Sequence, residues 1–245
     1  MAKESGLGDL LFVDGVDLSG DVGAVQRMAA PSGGLDVTAL NKSAHERIYG
    51  LFDGEIAFNA FFNDAADQEH VTLKAKGSGA NRILCYFHGS GIGEMAAGLV
   101  AKQMNYDPTR AADGMLTIDA QTLGNGYGLD YSEQLTAGKR TDTGATNGAS
   151  LDGAAATARG LAAYLQIFSF TGTSITVTIQ ESSDDAVGDP YAAVVGGAFA
   201  AASAVGAQRI VTSLTLAVER YLRVVSSGTF NPCTFAVCAT RYPVA

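Results

Sequence analysis

Tryptophan is absent from the 245 residues, proline occurs five times, cysteine three times, and charged residues make up only 17% of the chain. Without tryptophan, the side chain that usually builds an exposed aromatic platform for sugars is missing. Cys85, Cys233 and Cys238 are an odd number in a long chain, which is no disulfide framework. If Cys233 to Cys238 is one regular strand, their odd separation points the two thiols to opposite faces, and they should not pair with each other. No apolar run approaches the roughly 20 residues that a membrane span needs. No charged-then-apolar signal segment opens the chain, so the expectation is a protein made and kept in the cytosol unless a larger particle carries it out. An excess of base is lacking too. With 16 Lys and Arg against 25 Asp and Glu the net charge is −9, which disfavours an ordinary nucleic-acid binder, since phosphate affinity comes from Lys and Arg. Residues 1–140 hold 18 acids against 11 bases and the remainder 7 against 5, so any acidic surface lies in the first part. Such sparse charge, beside 47% hydrophobic residues, favours a subunit whose surface is largely covered by neighbours. A monomer with a Thr- and Ser-rich surface is the bland alternative.

What the chain has is alternation. The stretch Gly50 to Asn63, GLFDGEIAFNAFFN, leads out of the polar run Asn41 to Arg47. From Gly54 onward Ile56, Phe58, Ala60 and Phe62 fall on one side and Glu55, Asn59 and Asn63 on the other. This is the period of a half-buried antiparallel strand. Upstream, Leu10 to Val13, a turn at Asp14-Gly15, a short Val16 to Leu18 and Val22 to Met28 read as strands. Downstream, Arg82 to Phe87 and Met115 to Leu123 read the same way, and Leu129 to Thr136 returns after a turn at Asn125-Gly126. Met95 to Met104 is open between helix and strand, because Ala and Gly carry little periodic information. These elements make a first all-β domain over residues 1–138.

Residues 139–158, KRTDTGATNGASLDGAAATA, show no periodicity and read as an interdomain linker or extended arm. In residues 159–245, Leu161 to Phe170 turns at Thr171-Gly172-Thr173 and returns as Ser174 to Gln180, the clearest hairpin in the chain. With Tyr191 to Ala200, Arg209 to Val218, Arg220 to Val225 and Cys233 to Thr240, it suggests a second β-sandwich, jelly-roll or Ig-like.

The motifs with apparent chemistry do not hold up. Gly89-Ser90-Gly91-Ile92-Gly93 after an apolar strand resembles a dinucleotide turn, but the spacing is G-x-G-x-G and no repeating strand and helix units surround it. Ser90 beside His88 lacks the G-x-S-x-G elbow, and His45-Glu46 lacks the second His of H-E-x-x-H. Asp64, Asp67, Glu69 and His70 are close in sequence, yet their spacing fits neither an EF-hand loop nor a two-His helix, so a solvated loop or short helix is expected. Asp184, Asp185 and Asp189 supply too few ligands for Ca²⁺. Of Arg209, Arg220, Arg223 and Arg241, Arg220 and Arg223 face opposite sides of one strand, so no cationic stripe forms and pairing with nearby acids is the default. No enzyme, cofactor or metal is expected.

One family resemblance remains. Leu35 to Asn63, LDVTALNKSAHERIYGLFDGEIAFNAFFN, is similar to the corresponding segment of the major tail tube proteins of long-tailed, non-contractile bacteriophages, especially those infecting actinobacteria. Asp113-Gly114 opening MLTIDAQTL, Asn125-Gly126-Tyr127-Gly128-Leu129, Leu135-Thr136-Ala137-Gly138, Gly196-Gly197-Ala198-Phe199 and Glu219-Arg220-Tyr221-Leu222-Arg223 agree with it. The resemblance implies a structural virion protein, assembled in the host cytoplasm, whose sheets join in rings of typically six copies that stack into a tube for genome passage. It implies a strand at Met95 to Met104, and contact with a neighbouring copy by the N-terminal arm (residues 1–8) and first hairpin. It also implies ring stacking through the loop holding Asp64, Asp67, Glu69 and His70. The partners implied are the chain itself, the tape measure, tail terminator and distal tail proteins, and DNA in transit without specific binding. Acids of the first domain, Glu55, Asp119 and Glu133, are candidates to face the lumen, where they would repel phosphates. The second domain would lie outside the tube, where a host surface glycan is a candidate ligand. A free-standing carbohydrate-binding protein or capsid decoration protein is the alternative.

Overall fold

The structure, a computed structural model, describes residues 5–75 and 79–241. Its first strands are β1 Leu10–Val13, β2 Val16–Asp17, β3 Val22–Ala29, β4 Ser32–Asp36, β5 Arg47–Phe52 and β6 Glu55–Phe61, followed by the one-turn helix α1, Glu69–Leu73. Next come β7 Arg82–Phe87, β8 Met95–Gln103, β9 Asp107–Arg110, β10 Leu116–Gly124, β11 Asp130–Gln134, β12 Arg140–Asp142 and β13 Thr146–Asp152. The last four are β14 Ala162–Ser182, β15 Ala192–Ala198, β16 Gly206–Val211 and β17 Tyr221–Thr240. The class is all-β with antiparallel ladders, as expected. Met95–Gln103 is a strand because its neighbours fix it, pairing it with β7, β10 and β11.

Two long strands organise the second half. β14 and β17 pair from Ala162↔Thr240 to Ser182↔Tyr221. Along the other side of β17 lie β13, β12 and β11 in succession, and along the other side of β14 lie β16 and then β15. The hairpin expected with its turn at Thr171-Gly172-Thr173 is therefore absent: β14 runs straight through that point. Gly172 and Gly228 face the partner strand where the register shifts, and a Cβ on Gly172 would come within 2.5 Å of Thr229 O and the Phe230 Cα. These glycines permit a close crossing of two bulged strands and are not turn residues.

The linker expected over residues 139–158 is also corrected. β12 pairs Arg140↔Phe235 to Asp142↔Cys233, and β13 pairs Thr146↔Ser226 to Asp152↔Tyr221. Both strands are held by their backbone ladders on β17, and Arg140 and Ser226 add side-chain bonds to the buried Asp142. The stretch Gly50 to Asn63 is not one strand either. It breaks at Asp53-Gly54, where a Cβ on Gly54 would meet Leu99 Cδ1 at 2.5 Å and Leu129 N at 2.7 Å.

Buried side chains form one cluster in the first half, around Leu11, Phe58, Leu84 and Leu99, and another in the second, around Leu165, Ile179, Val224 and Phe235. A third joins them: Phe12, Cys85, Phe87, Ala96 and Val100 meet Tyr164, Ala236 and Cys238. At this waist Gly98 lies under Tyr164, and a Cβ there would come within 2.3 Å of the ring. Tyr164 is fully buried and has nowhere to go. Gly98→Ala is expected to cost about 1–3 kcal/mol through overpacking, seen as a lower urea midpoint at unchanged slope. An unmoved midpoint would show that the ring yields.

Candidate functional site: a polar sheet face and a projecting ribbon

β3, β6, β10 and β9 lie side by side in one sheet. On its inner face Ile56, Phe58, Ala60, Ile118 and Ala120 are buried, so the alternating residues of the same strands must point outward. Glu55 and Asp119 are both on that outer face, each held by neutral amides. Gln121 Nε2 donates to Glu55 at 2.6 Å and Arg27 Nε stands 2.6 Å from the same carboxylate. Asn59 Nδ2 and Gln26 Nε2 donate to Asp119 at 3.0 and 3.2 Å. Directly across the ladder from Asp119 is Asp107. Like charges opposed in this way are mildly unfavourable, so the face concentrates acid beyond what pairing would select. Sequence reading misses Asp107 because Asp107-Pro108 has the signature of a turn, whereas an edge strand accepts the proline.

Glu133 is not brought to this face. It sits on β11, between Met95 of β8 and Ala239 of β17. Asp64 and Asp67 are exposed in the loop before α1, while Glu69 and His70 turn inward. The Glu69 amide donates to Asp21 Oδ2 at 3.2 Å, and His70 Nδ1 contacts the Tyr106 hydroxyl. Glu69 is fully buried and its carboxyl oxygens have no hydrogen-bond partner among the described residues. Burial, and then the Asp21 charge, push its pKa up to about 7.

The margins of this sheet are open. β3 pairs only with β6 and β9 only with β10 among the described residues, so each leaves a row of backbone groups unpaired. β1, in contrast, is buried inside its own chain between β2 and β7. The contact with a neighbour expected of the arm and first hairpin is thereby reduced to the residues before β1, of which 1–4 lie outside the described residues.

Beyond Ala29 and Glu55 the β3–β6 ladder continues as a ribbon. Asp53 N donates to Pro31 O at 2.9 Å, β4 and β5 pair from Ser32↔Phe52 to Asp36↔Arg47, and Val37 N donates to Glu46 O at 2.9 Å. Leu35 and Ile48 are opposed on one side of the ribbon and Tyr49 and Leu51 alternate to the other. All four are exposed, Leu51 at 91%. A two-stranded ribbon is marginal alone in water, and an apolar surface on both sides marks it as an interaction element.

The other motifs resolve into structure. Gly91 N donates to Glu94 Oε2 at 2.7 Å, and a Cβ on Gly91 would fall 2.8 Å from that carboxyl. The glycine loop thus closes over its own acid, where a phosphate would be repelled. Asp184 accepts the amides of Val187, Gly188 and Asp189, so the acidic loop spends its carboxylate on its own backbone. Arg220 grips Asp152 with two bonds of 2.6 Å and holds that carboxyl down at about 2. Cys233 and Cys238 fall in different clusters, and burial raises Cys233 to about 11 and Cys238 above its usual range, so neither is a ready thiolate. Among the described residues no group of His, Cys, Asp and Glu is placed to hold a metal ion, and no helix is long and apolar enough to cross a membrane.

No family model matches the chain, and no curated protein matches it. Solved structures do. The chain is similar to a chain of the virion of a native gene transfer agent particle, with TM-score 0.44 and 16% identity over 53% of this chain and 98% of that one. It is similar to a chain in the tail of an empty gene transfer agent particle of C6 symmetry, with TM-score 0.42 and 16% identity over the same shares. A third likeness is to the SPP1 Dit protein, described as a paradigm of the hub adsorption apparatus in phages that infect Gram-positive hosts, with TM-score 0.35 and 11% identity over 95% of this chain and 99% of that one. With each of these TM-scores below 0.5, the architecture stands on its own strand order and register.

Proposed function

We propose that the chain is a structural subunit of a phage tail tube. Copies join edge to edge through β3 and β9 into a ring, with the face of Glu55, Asp107 and Asp119 turned to a central channel. The observation that carries this reading is the amphipathic sheet with two open margins. An unpaired edge invites uncontrolled aggregation, and closure of the sheet through identical copies removes it. In the family that Leu35 to Asn63 resembles, typically six copies make the ring. The face holds Glu55, Asp107 and Asp119, and its Arg27 is engaged by Glu55 at 2.6 Å, so DNA phosphates would meet net negative charge and pass without sticking. The free-standing alternative, a sugar-binding or decoration protein, leaves both margins and the ribbon without partners.

Negative-stain microscopy of the purified protein is the direct test: rings or tubes are expected, and dispersed monomers at high concentration would end the proposal. The lumenal role has its own test. Glu55→Lys combined with Asp119→Lys should slow genome ejection roughly ten-fold, and more at low salt, where cation and phosphate are least screened. Ejection at the normal rate from particles carrying the double variant would place these residues outside the channel.

A further inference from the structure

Two of the three cysteines meet at the waist. Along β7, Cys85 and Phe87 enter the cluster that joins the two halves, and along β17 Ala236 and Cys238 enter it from the other side. Cys85 is 1% exposed and Cys238 fully buried. Their strand partners bring the two faces together: Cys85 pairs with Gly98 and Cys238 with Tyr164, and the Tyr164 ring fills the place that a Cβ on Gly98 would need. Across this contact the two thiols are hydrogen-bonded to each other, and Gln166 Nε2 donates to Cys85 Sγ at 3.4 Å. Cys233, in contrast, belongs to the cluster of the second half.

We infer that Cys85 and Cys238 form an oxidation site, a latent disulfide that staples β7 to β17 and with them the first half of the chain to the second. Its oxidant is hydrogen peroxide, small enough to enter a core that admits no bulky reagent. The Cys85 thiolate attacks one peroxide oxygen and the O–O bond breaks; Cys85 becomes a sulfenic acid, and the departing hydroxide takes up the proton that the thiol gave up. The Cys238 sulfur then attacks the sulfenic sulfur, the S–O bond breaks, and the hydroxide leaves as water with the Cys238 proton. Two thiols and one peroxide thus become one disulfide and two waters. The hydrogen bonds assign the roles. Burial, and then the bond to Cys85, keep the proton on Cys238, whereas the Cys85 sulfur receives the Gln166 N–H. The first step is slow, because peroxide must wait for the waist to open. The second is fast, because the partner sulfur is already in contact. This chemistry does not depend on ring formation. On the tail-tube reading, it locks a subunit that folds in a reducing cytosol and works outside it.

The test is peroxide treatment of the native full-length chain, followed by quenching, unfolding and counting of free thiols. The three free thiols should fall to one, and peptide mapping should place the link between Cys85 and Cys238. The urea midpoint should rise by roughly 1 M, because a link across so long a loop restricts the unfolded chain, and reduction should reverse the rise. Cys233→Ala should still lose two thiols, whereas Cys85→Ala should form no link within the chain. Mapping of the wild type needs no variant, so an alanine chain that fails to fold leaves the result standing. The exposed Met115 reports the dose, since peroxide converts it to the sulfoxide. Three thiols surviving a dose that oxidises Met115, a link that involves Cys233, Cys85 driven to sulfinic acid without a link, or links only between chains would each overturn the inference. Rings or dispersed monomers under the microscope bear on the tube reading alone.

Discussion

Replacing Asp130 with alanine is expected to lower the stability of the subunit by about 3–5 kcal/mol, the usual cost of stranding a buried charge. Asp130 stands at the waist, 1% exposed. Tyr164 donates its hydroxyl to Asp130 Oδ2 at 2.6 Å, and Arg209 reaches the same oxygen with Nη2 at 3.3 Å while its Nε donates to the Tyr164 hydroxyl at 3.0 Å. Burial, and then the Asp130 charge, hold the Tyr164 phenol well above its ordinary pKa, so it stays a donor. The guanidinium is capped by the Tyr127 ring, 4.0 Å from its centroid. Removing the carboxylate leaves a nearly buried cation facing a phenol with nothing to donate to. Tyr164→Phe should cost less, about 1–2 kcal/mol, because Arg209 and Asp130 still neutralise each other. The pair Asp130→Leu with Arg209→Met should recover most of the loss, since an apolar replacement strands no charge. Urea unfolding of the four proteins decides this: a loss below about 1 kcal/mol for Asp130→Ala, or a double variant worse than the single, would mean the triad does not couple the halves.

This triad also limits how the second half can be tested. Because Tyr164 and Cys238 belong to the core shared with β1, β7 and β8, deleting residues 150 onward would uncover the first half as well as remove the second. Its role is better probed by altering its exposed loops.

The legible part of the fold is the part whose side chains alternate. Ile56, Phe58 and Ala60 are buried and Glu55 and Asn59 point outward, as the period from Gly54 onward requires, but Phe62, expected on the buried side, lies past the end of the strand and is exposed. That same alternation brings Glu55 to the candidate face. β12 and β13 are not legible, since beside their backbone ladders on β17 they are fixed by contacts distant in sequence, Ser226 donating to the buried Asp142 and Leu151 entering the second core, which leave no local period. The long β14 hides behind Gly172, because a glycine that admits a crossing strand and one that makes a turn look alike in sequence. The ribbon is hidden for the opposite reason. Leu35, Ile48, Tyr49 and Leu51 have the composition of core, and only the three-dimensional fold reveals that none of the described residues covers them.

Glu69 supplies the second large effect, and it runs against the usual behaviour of a carboxylate. An unfolded Glu titrates near 4.5, whereas the buried Glu69 carboxyl, beside Asp21 and without a hydrogen-bond partner among the described residues, titrates at about 7. Below 4.5 both states are protonated and the site carries no penalty. Between 4.5 and 7 the folded state binds more protons than the unfolded one, so stability falls as pH rises. Above 7 the fold must hold a buried charge next to another acid, and the whole penalty, about 3 kcal/mol, persists. Urea midpoints measured at fixed protein concentration and salt should therefore decline from pH 5 to pH 8. Glu69→Gln should flatten that decline and make the subunit more stable than wild type at pH 8, because an amide keeps the shape and never ionises. A wild-type midpoint that holds steady across the window, or a Gln variant that declines just as steeply, would mean that Glu69 is charged in the native state and that something compensates it. The effect is local to α1, which also holds Phe62 through His70. The effect of ionising Glu69 is expected at α1 and the neighbouring exposed Phe62, and not at the Asp130 triad, which belongs to other strands.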